Sequence, residues 1–376
     1  MHFPRFARTP SIALFSFFGI FLLRHPLLAE EVDSLTEPSI WDRTFDLRFG
    51  SGFKDNLLLS HRSQERSAFL SSGLDIIILR LPVDGTQFYF FLSGEDIRYL
   101  SGKLVDKEQS LIAISQLKKN FAENWQGGME FQYLYQDQVV DVSTTERVGT
   151  VLAQGNAFTG RPLLRRTLSK AFWAEMDFSL TRQYFKEPLD DFWEGGPRMS
   201  LGTEYGQKSE LNLSYQIRRR GYDHREQVAA DGALIPNTSL EFDTQETSLS
   251  WRHNWDKERR WRSSTKVAFE SNQDNGSGYF DYQKYQVAEQ LRYRATTWEL
   301  QGQIRLNHYD YPVQKVGPID PAKRNQTGFV LTLHGSKNLT KKLKLFVNYE
   351  HESIISNRPS DEYDVNVISA GIDREF

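Results

Sequence analysis

The chemistry available to this 376-residue chain rests first on arginine. Arg218, Arg220, Arg252, Arg262, Arg292, Arg294 and Arg305 each stand among polar residues two positions away. A guanidinium presents a rigid fork of donors that fits oxyanions and sugar hydroxyls and stacks on flat groups. Glu175, Asp177, Glu204, Glu210 and Glu299 occupy the same alternating face, as do Glu270 and Glu350. Two readings stand side by side. Opposed basic and acidic walls set up a transverse field that draws in charged or sugar-like solutes. Alternatively, the charges pair across neighbouring segments and only keep the face wet.

Catalytic readings have little to work with. The chain has no cysteine, so a thiol nucleophile, a thiolate metal site and a disulfide are excluded. His253 and His308 lie near segment ends and His334 lies near Thr332, with no nucleophile placed beside any of them. There is no Gly-x-Ser-x-Gly, no His-Glu-x-x-His and no phosphate loop. Asn272–Gly278 has the polar run of a calcium loop without the distal glutamate, and reads as a polar hairpin. No catalytic residue, metal ligand or cofactor is expected. Lys+Arg 46 against Asp+Glu 49 gives a net charge of −3, with no basic excess to attract nucleic acid.

Strands must position these side chains. Thr297–Asn307 puts Trp298, Leu300, Gly302, Ile304 and Leu306 on one face and Glu299, Gln301, Gln303, Arg305 and Asn307 on the other. Ser209–Arg218 and Lys342–Glu350 alternate in the same way. Period two over nine or more residues is strand patterning, and about 9–11 residues is what a tilted strand needs to cross a bilayer. Segments of this kind fall at 41–59, 67–81, 87–100, 109–121, 127–142, 156–168, 172–185, 197–207, 209–222, 240–255, 260–272, 279–295, 297–311, 326–338, 342–354 and 363–376. The expected fold is all-β, a transmembrane antiparallel up-and-down barrel of about sixteen strands. Residues 143–168 leave room for fourteen to eighteen. A mean hydropathy of −0.56 with 13% aromatic residues suits such alternation.

Connections should then alternate between short periplasmic turns and longer outer loops. Trp41, Trp125, Trp173, Trp255, Trp261 and Trp298 all fall beside the expected periplasmic ends, where aromatic girdles form. Tyr99, Tyr184, Tyr222, Tyr279, Tyr309 and Tyr363 are placed for an outer girdle. Glu289 breaks the pattern, since it falls on the lipid face between Val287 and Leu291, where charge is costly. A bulge that shifts the register, or an oligomer interface, would account for it. Arg374 is also outward, near enough the periplasmic end to snorkel.

The amino terminus reads as a targeting segment. Arg5 and Arg8 precede the apolar run Ile12–Leu23, and Ala29 supplies a small residue for cleavage. This is a secretory signal over 1–29, followed by a short periplasmic segment, 30–40, and the barrel, 41–376. An uncleaved anchor is the alternative.

The last fourteen residues, Tyr363-Asp-Val-Asn-Val-Ile-Ser-Ala-Gly-Ile-Asp-Arg-Glu-Phe376, form an alternating strand ending in an aromatic residue. That strand resembles the C-terminal strand of bacterial outer-membrane β-barrel proteins, where it closes the barrel and is read by the assembly machinery. Phe49-Gly-Ser-Gly-Phe-Lys-Asp-Asn-Leu-Leu-Leu59 is similar to the opening strand of porin-like and export barrels. The resemblance implies an outer-membrane location in a Gram-negative cell. Its implied partners are membrane lipid, lipopolysaccharide, the barrel-assembly machinery at Phe376 and a homo-oligomer. Asp190, Asp191, Glu352, Asp361 and Glu362 could hold divalent ions that bridge lipopolysaccharide. The implied function is a water-filled channel for passive diffusion or export of small polar or charged solutes, saccharides among them. Its lining would be the arginines and acids named above. An outer-membrane lipid or peptide hydrolase, a structural or adhesive barrel without an open pore, and a secreted soluble β-protein are the alternatives. Deleting Phe376 is expected to deplete the heat-modifiable barrel from the membrane fraction on gels, while barrels that do assemble behave normally.

Overall fold

The computed structural model describes residues 39–62, 64–145, 149–317 and 320–376; the expected signal segment lies outside them. Nine strands come first: β1 (Trp41–Lys54), β2 (Ser67–Arg80), β3 (Thr86–Tyr99), β4 (Lys107–Ala122), β5 (Trp125–Asp141), β6 (Thr150–Thr167), β7 (Phe172–Phe185), β8 (Phe192–Tyr205) and β9 (Ser209–Tyr222). A small hairpin, β10 (Gln227–Val228) and β11 (Leu234–Ile235), interrupts the next connection. The remaining strands are β12 (Glu241–Asn254), β13 (Trp261–Asp274), β14 (Tyr282–Arg294), β15 (Trp298–Lys315), β16 (Lys323–Asn338), β17 (Leu343–Ser356) and β18 (Tyr363–Glu375). All but β10 and β11 pair antiparallel with their neighbours, and β1 pairs with β18, so sixteen strands close into a barrel.

Side-chain alternation sorts the sequence into two surfaces. Phe49, Leu213, Val287, Ile304, Val347 and Ile368 are exposed on the outside, forming the apolar band of a membrane-spanning barrel. Polar and charged residues of opposite parity face inward. Each expected segment corresponds to one strand, and 143–168 holds a single one, β6. The ends differ. The β1 strand stops at Lys54, because Leu57 and Leu59 turn into the barrel and bury against Phe69, Tyr99, Val105 and Val365. A continuous apolar run here marks a tucked-in loop rather than a strand. The β6 and β8 strands begin earlier than expected, at Thr150 and Phe192, and β15 runs on to Lys315.

The seam between β1 and β18 is heavily fastened. The Asp55 carboxylate accepts the Asn366 backbone N–H and its Nδ2, each at 2.7 Å. Asn56 Nδ2 donates to the Asp364 carbonyl at 2.9 Å. At the periplasmic end the Phe376 N–H donates to the Phe45 carbonyl at 2.9 Å. The two rings meet edge to face at 5.7 Å, and Arg374 lies over Phe376 at 4.9 Å. Arg374 thus keeps its charge at the rim, as its snorkelling position requires.

Aromatic parity corrects two expectations. Trp41, Trp255, Trp261 and Trp298 stand exposed at the periplasmic end, but Trp173 is buried in the lumen. A Cβ added at Gly202 would lie 2.2 Å from the Trp173 ring, so the indole rests where only glycine leaves room. Tyr184 faces out, whereas Tyr99, Tyr222, Tyr309 and Tyr363 point inward and are buried. They fill the outer half of the barrel and do not form a lipid girdle, because they share the parity of the inward polar residues.

Glu289 faces the lipid as expected. Neither β13–β14 nor β14–β15 carries a register shift, so the bulge explanation fails. The Thr265 hydroxyl donates to the Glu289 carboxylate at 2.5 Å.

At the seam, Gly371 pairs directly with Gly50. A Cβ at Gly371 would sit 2.1 Å from the Phe49 carbonyl oxygen and 2.7 Å from the Phe346 ring. Gly371→Ala is expected to destabilise the barrel by about 1–3 kcal/mol, the usual cost of overpacking. The measurement is denaturant unfolding in detergent followed by tryptophan fluorescence.

Candidate functional site

Strand parity puts the charges named from the sequence on the inward-facing set of side chains. Most of them meet a partner on a neighbouring strand. On the outer side, Arg220 Nε lies 2.8 Å from Glu194, and Arg218 bridges Glu194 at 3.5 Å and Glu270 at 3.0 Å. The Tyr282 hydroxyl donates to Glu270 at 2.8 Å, and Lys284 lies 4.0 Å away. Glu194, Arg218, Arg220, Glu270, Lys284 and Thr145 line one small polar pocket. Elsewhere Asp177 pairs with Arg198 at 2.8 Å and Glu175 with Arg165 at 3.9 Å. Arg294 pairs with Glu299 at 2.7 Å, and Arg252 pairs with Glu210. Glu204 stands exposed near the end of β8. The inner face is therefore largely a neutralised network, and acids and bases interleave instead of forming two opposed walls.

Three arginines depart from this. Arg262, Arg292 and Arg305, on the adjacent strands β13, β14 and β15, make no ion pair among the described residues. Arg262 Nε, Arg292 Nε and Nη1, and Arg305 Nε and Nη2 are buried without a hydrogen-bond partner. Arg262 and Arg292 face each other directly across β13 and β14, and Arg305 faces Ala288 farther along the wall.

The outer half of the lumen is packed. Phe192, Tyr222, Val228, Leu240, Phe242 and Phe280 form one apolar cluster. A second surrounds Leu57 and Tyr363. Beyond β5 the chain crosses toward the far wall. Arg324 on β16 donates to the Ser143 carbonyl at 2.8 Å, to Gln314 at 2.9 Å and to Gln326 at 3.0 Å. It also pairs with Asp361 at 2.8 Å and lies over the Tyr311 ring at 4.4 Å. From another side Arg225 stacks on Tyr222 and Phe280 and donates to the Thr145 carbonyl. Arg324 is the organising residue that sequence patterning missed. The strand begins at Lys323, three residues before the expected start at 326, and Arg324 has the same parity as the inward residue His334.

The histidines are held by local contacts. His253 lies in the periplasmic aromatic belt beside Trp251 and Trp255, with Nδ1 3.1 Å from the Tyr205 hydroxyl and 3.3 Å from Ser209 Oγ. His308 bonds Thr327 and Asp310, and His334 Nδ1 lies 2.6 Å from Asn348 Oδ1. The Asn272–Gly278 loop spends its carboxylate on itself. Asp274 accepts backbone N–H groups of Gly276, Gly278 and Phe280 at 2.7–2.8 Å, as a polar hairpin does. At the rim, Arg182 hydrogen-bonds Asp223 and holds its carboxyl below the usual range, while burial pushes the Asp281 carboxyl up. The Asp223 contribution to stability is therefore present above the unfolded carboxyl range and is lost on acidification.

Glu270→Gln removes the charge that compensates buried Arg218 and Lys284. It is expected to cost about 3 kcal/mol, the scale for breaking a buried ion pair. The readout is a lowered denaturant midpoint in detergent.

No protein-family model and no curated protein matches the chain. Among solved structures it is similar to OccAB1 of Acinetobacter baumannii, with 8% identity, 89% of this chain and 96% of that chain covered, and a TM-score of 0.50. It is likewise similar to OccK9 (OpdG) of Pseudomonas aeruginosa, with 9% identity, 89% and 99% covered, and a TM-score of 0.50. The outer membrane protein OprD of Pseudomonas aeruginosa matches at 10% identity, 89% and 94% covered, with a TM-score of 0.46. At these identities the first two likenesses, at a TM-score of 0.50, show the fold alone, a closed antiparallel barrel.

Proposed function

We propose that this chain is an outer-membrane channel through which small polar or charged solutes, saccharides among them, pass by diffusion without a cofactor. The single observation that carries the reading is the inner face itself. Sixteen strands enclose a lumen of the size class that holds an aqueous channel, and they line it with hydrogen-bonding and charged side chains from β1 to β18. Such a lining replaces part of a solute's hydration shell, and the interleaved charges keep water in place. Net flow, inward or outward, then follows the concentration gradient.

A second reading is a barrel without an open pore, and the packed outer half favours it. The aromatic cluster around Phe242 and Phe280 and the Arg324 contacts to Ser143 and Asp361 leave little free cross-section there. One measurement separates the two. Purified protein in planar bilayers is expected to give discrete conductance steps of modest size. Complete absence of steps at every voltage would remove the channel reading and leave the closed barrel.

A further inference from the structure

One row across the lumen wall is rich in unsatisfied donors. Arg262 on β13 pairs directly with Arg292 on β14, and Arg292 pairs directly with Gln301 on β15. All three face inward and are 5%, 3% and 5% exposed. Arg262 Nε, Arg292 Nε and Nη1, and Gln301 Nε2 have no hydrogen-bond partner. Nearby Arg252 and Arg294 are paired with Glu210 and Glu299. Glu299 also lies within electrostatic reach of Arg262 and Arg292, yet among the described residues neither of these two arginines makes a direct ion pair, so two guanidinium charges share one already paired carboxylate. Buried polar groups are normally satisfied, and a buried charge without a counter-charge is costly. Here two like charges are set side by side with a neutral amide beside them, and among the described residues no acceptor reaches the unsatisfied atoms.

We propose that Arg262, Arg292 and Gln301 form a binding site for a divalent oxyanion of the phosphate class. Guanidinium N–H pairs are spaced to meet two oxygens of one anion. Two charges match a dianion better than an acetate-like monoanion, and Gln301 supplies a third donor direction. His334 and its partner Asn348 continue the same row on β16 and β17 and limit how far the anion can spread along it. The site needs only the folded barrel, so it stands whether or not the lumen conducts.

Calorimetric titration of the detergent-solubilised full chain with inorganic phosphate tests this directly. The expected result is one bound phosphate per chain, at least tenfold tighter than acetate. Binding should be weakened at least tenfold in Arg262→Gln and Arg292→Gln, and unchanged in Arg260→Gln, which alters an exposed turn outside the row. Heat-modifiable gel migration reports folding of each variant. If a glutamine variant fails to fold, Arg292→Lys keeps the charge but loses the fork, and a several-fold loss of affinity is expected. No phosphate binding by the unaltered chain, equal binding of acetate, or equal affinity in the folded Arg262 and Arg292 variants would overturn the proposal.

Discussion

In hydrocarbon, a backbone amide finds no water, so its hydrogen bond must come from another strand. An open sheet would leave two edges unsatisfied across the whole membrane. Pairing of β1 with β18 removes both edges at once, and the remaining architecture depends on it. The local chemistry answers to that demand. Asp55 and Asn56 grip the outer end of the seam, Gly50 and Gly371 let the two backbones approach under the Phe346 ring, and Phe45 and Phe376 meet at the other end.

Closure also turns a two-residue alternation into an inside and an outside. Once the registers are fixed, side chains have no freedom to change surface. This explains why Glu289 remains on the lipid face, where the Thr265 hydroxyl hydrogen-bonds it. It explains equally why charges separated by dozens of residues, such as Lys54 and Glu108 at 2.7 Å, meet inside. The lumen is built by geometry first, and its electrostatics follow from which residues happen to become neighbours.

Much of this was legible in the sequence, for a physical reason. Period-two patterning needs only local reading, so the barrel strands and the inward arginines could be located. What could not be read locally was who pairs with whom. Glu194 lies just before the alternating segment that begins at 197, yet it is the partner of Arg218 and Arg220. The loops were equally hidden, because residues such as Leu57, Leu240 and Phe280 bury through contacts remote in sequence. The tyrosines differ from the girdle expectation because position at a strand end does not decide the face; parity does, and Tyr99, Tyr222, Tyr309 and Tyr363 share the inward parity.

The tucked-in loops give the molecule two materials in one shell. In the outer half, apolar clusters around Phe242 and Leu57 pack beside buried ion pairs such as Arg218–Glu270 and Lys54–Glu108. Toward the periplasm the inner face carries paired charges such as Arg252–Glu210 and Arg294–Glu299, and ions in solution screen these wherever water reaches them. The two parts therefore answer to different conditions, the apolar packing to temperature and solvent quality and the water-reached charges to ionic strength.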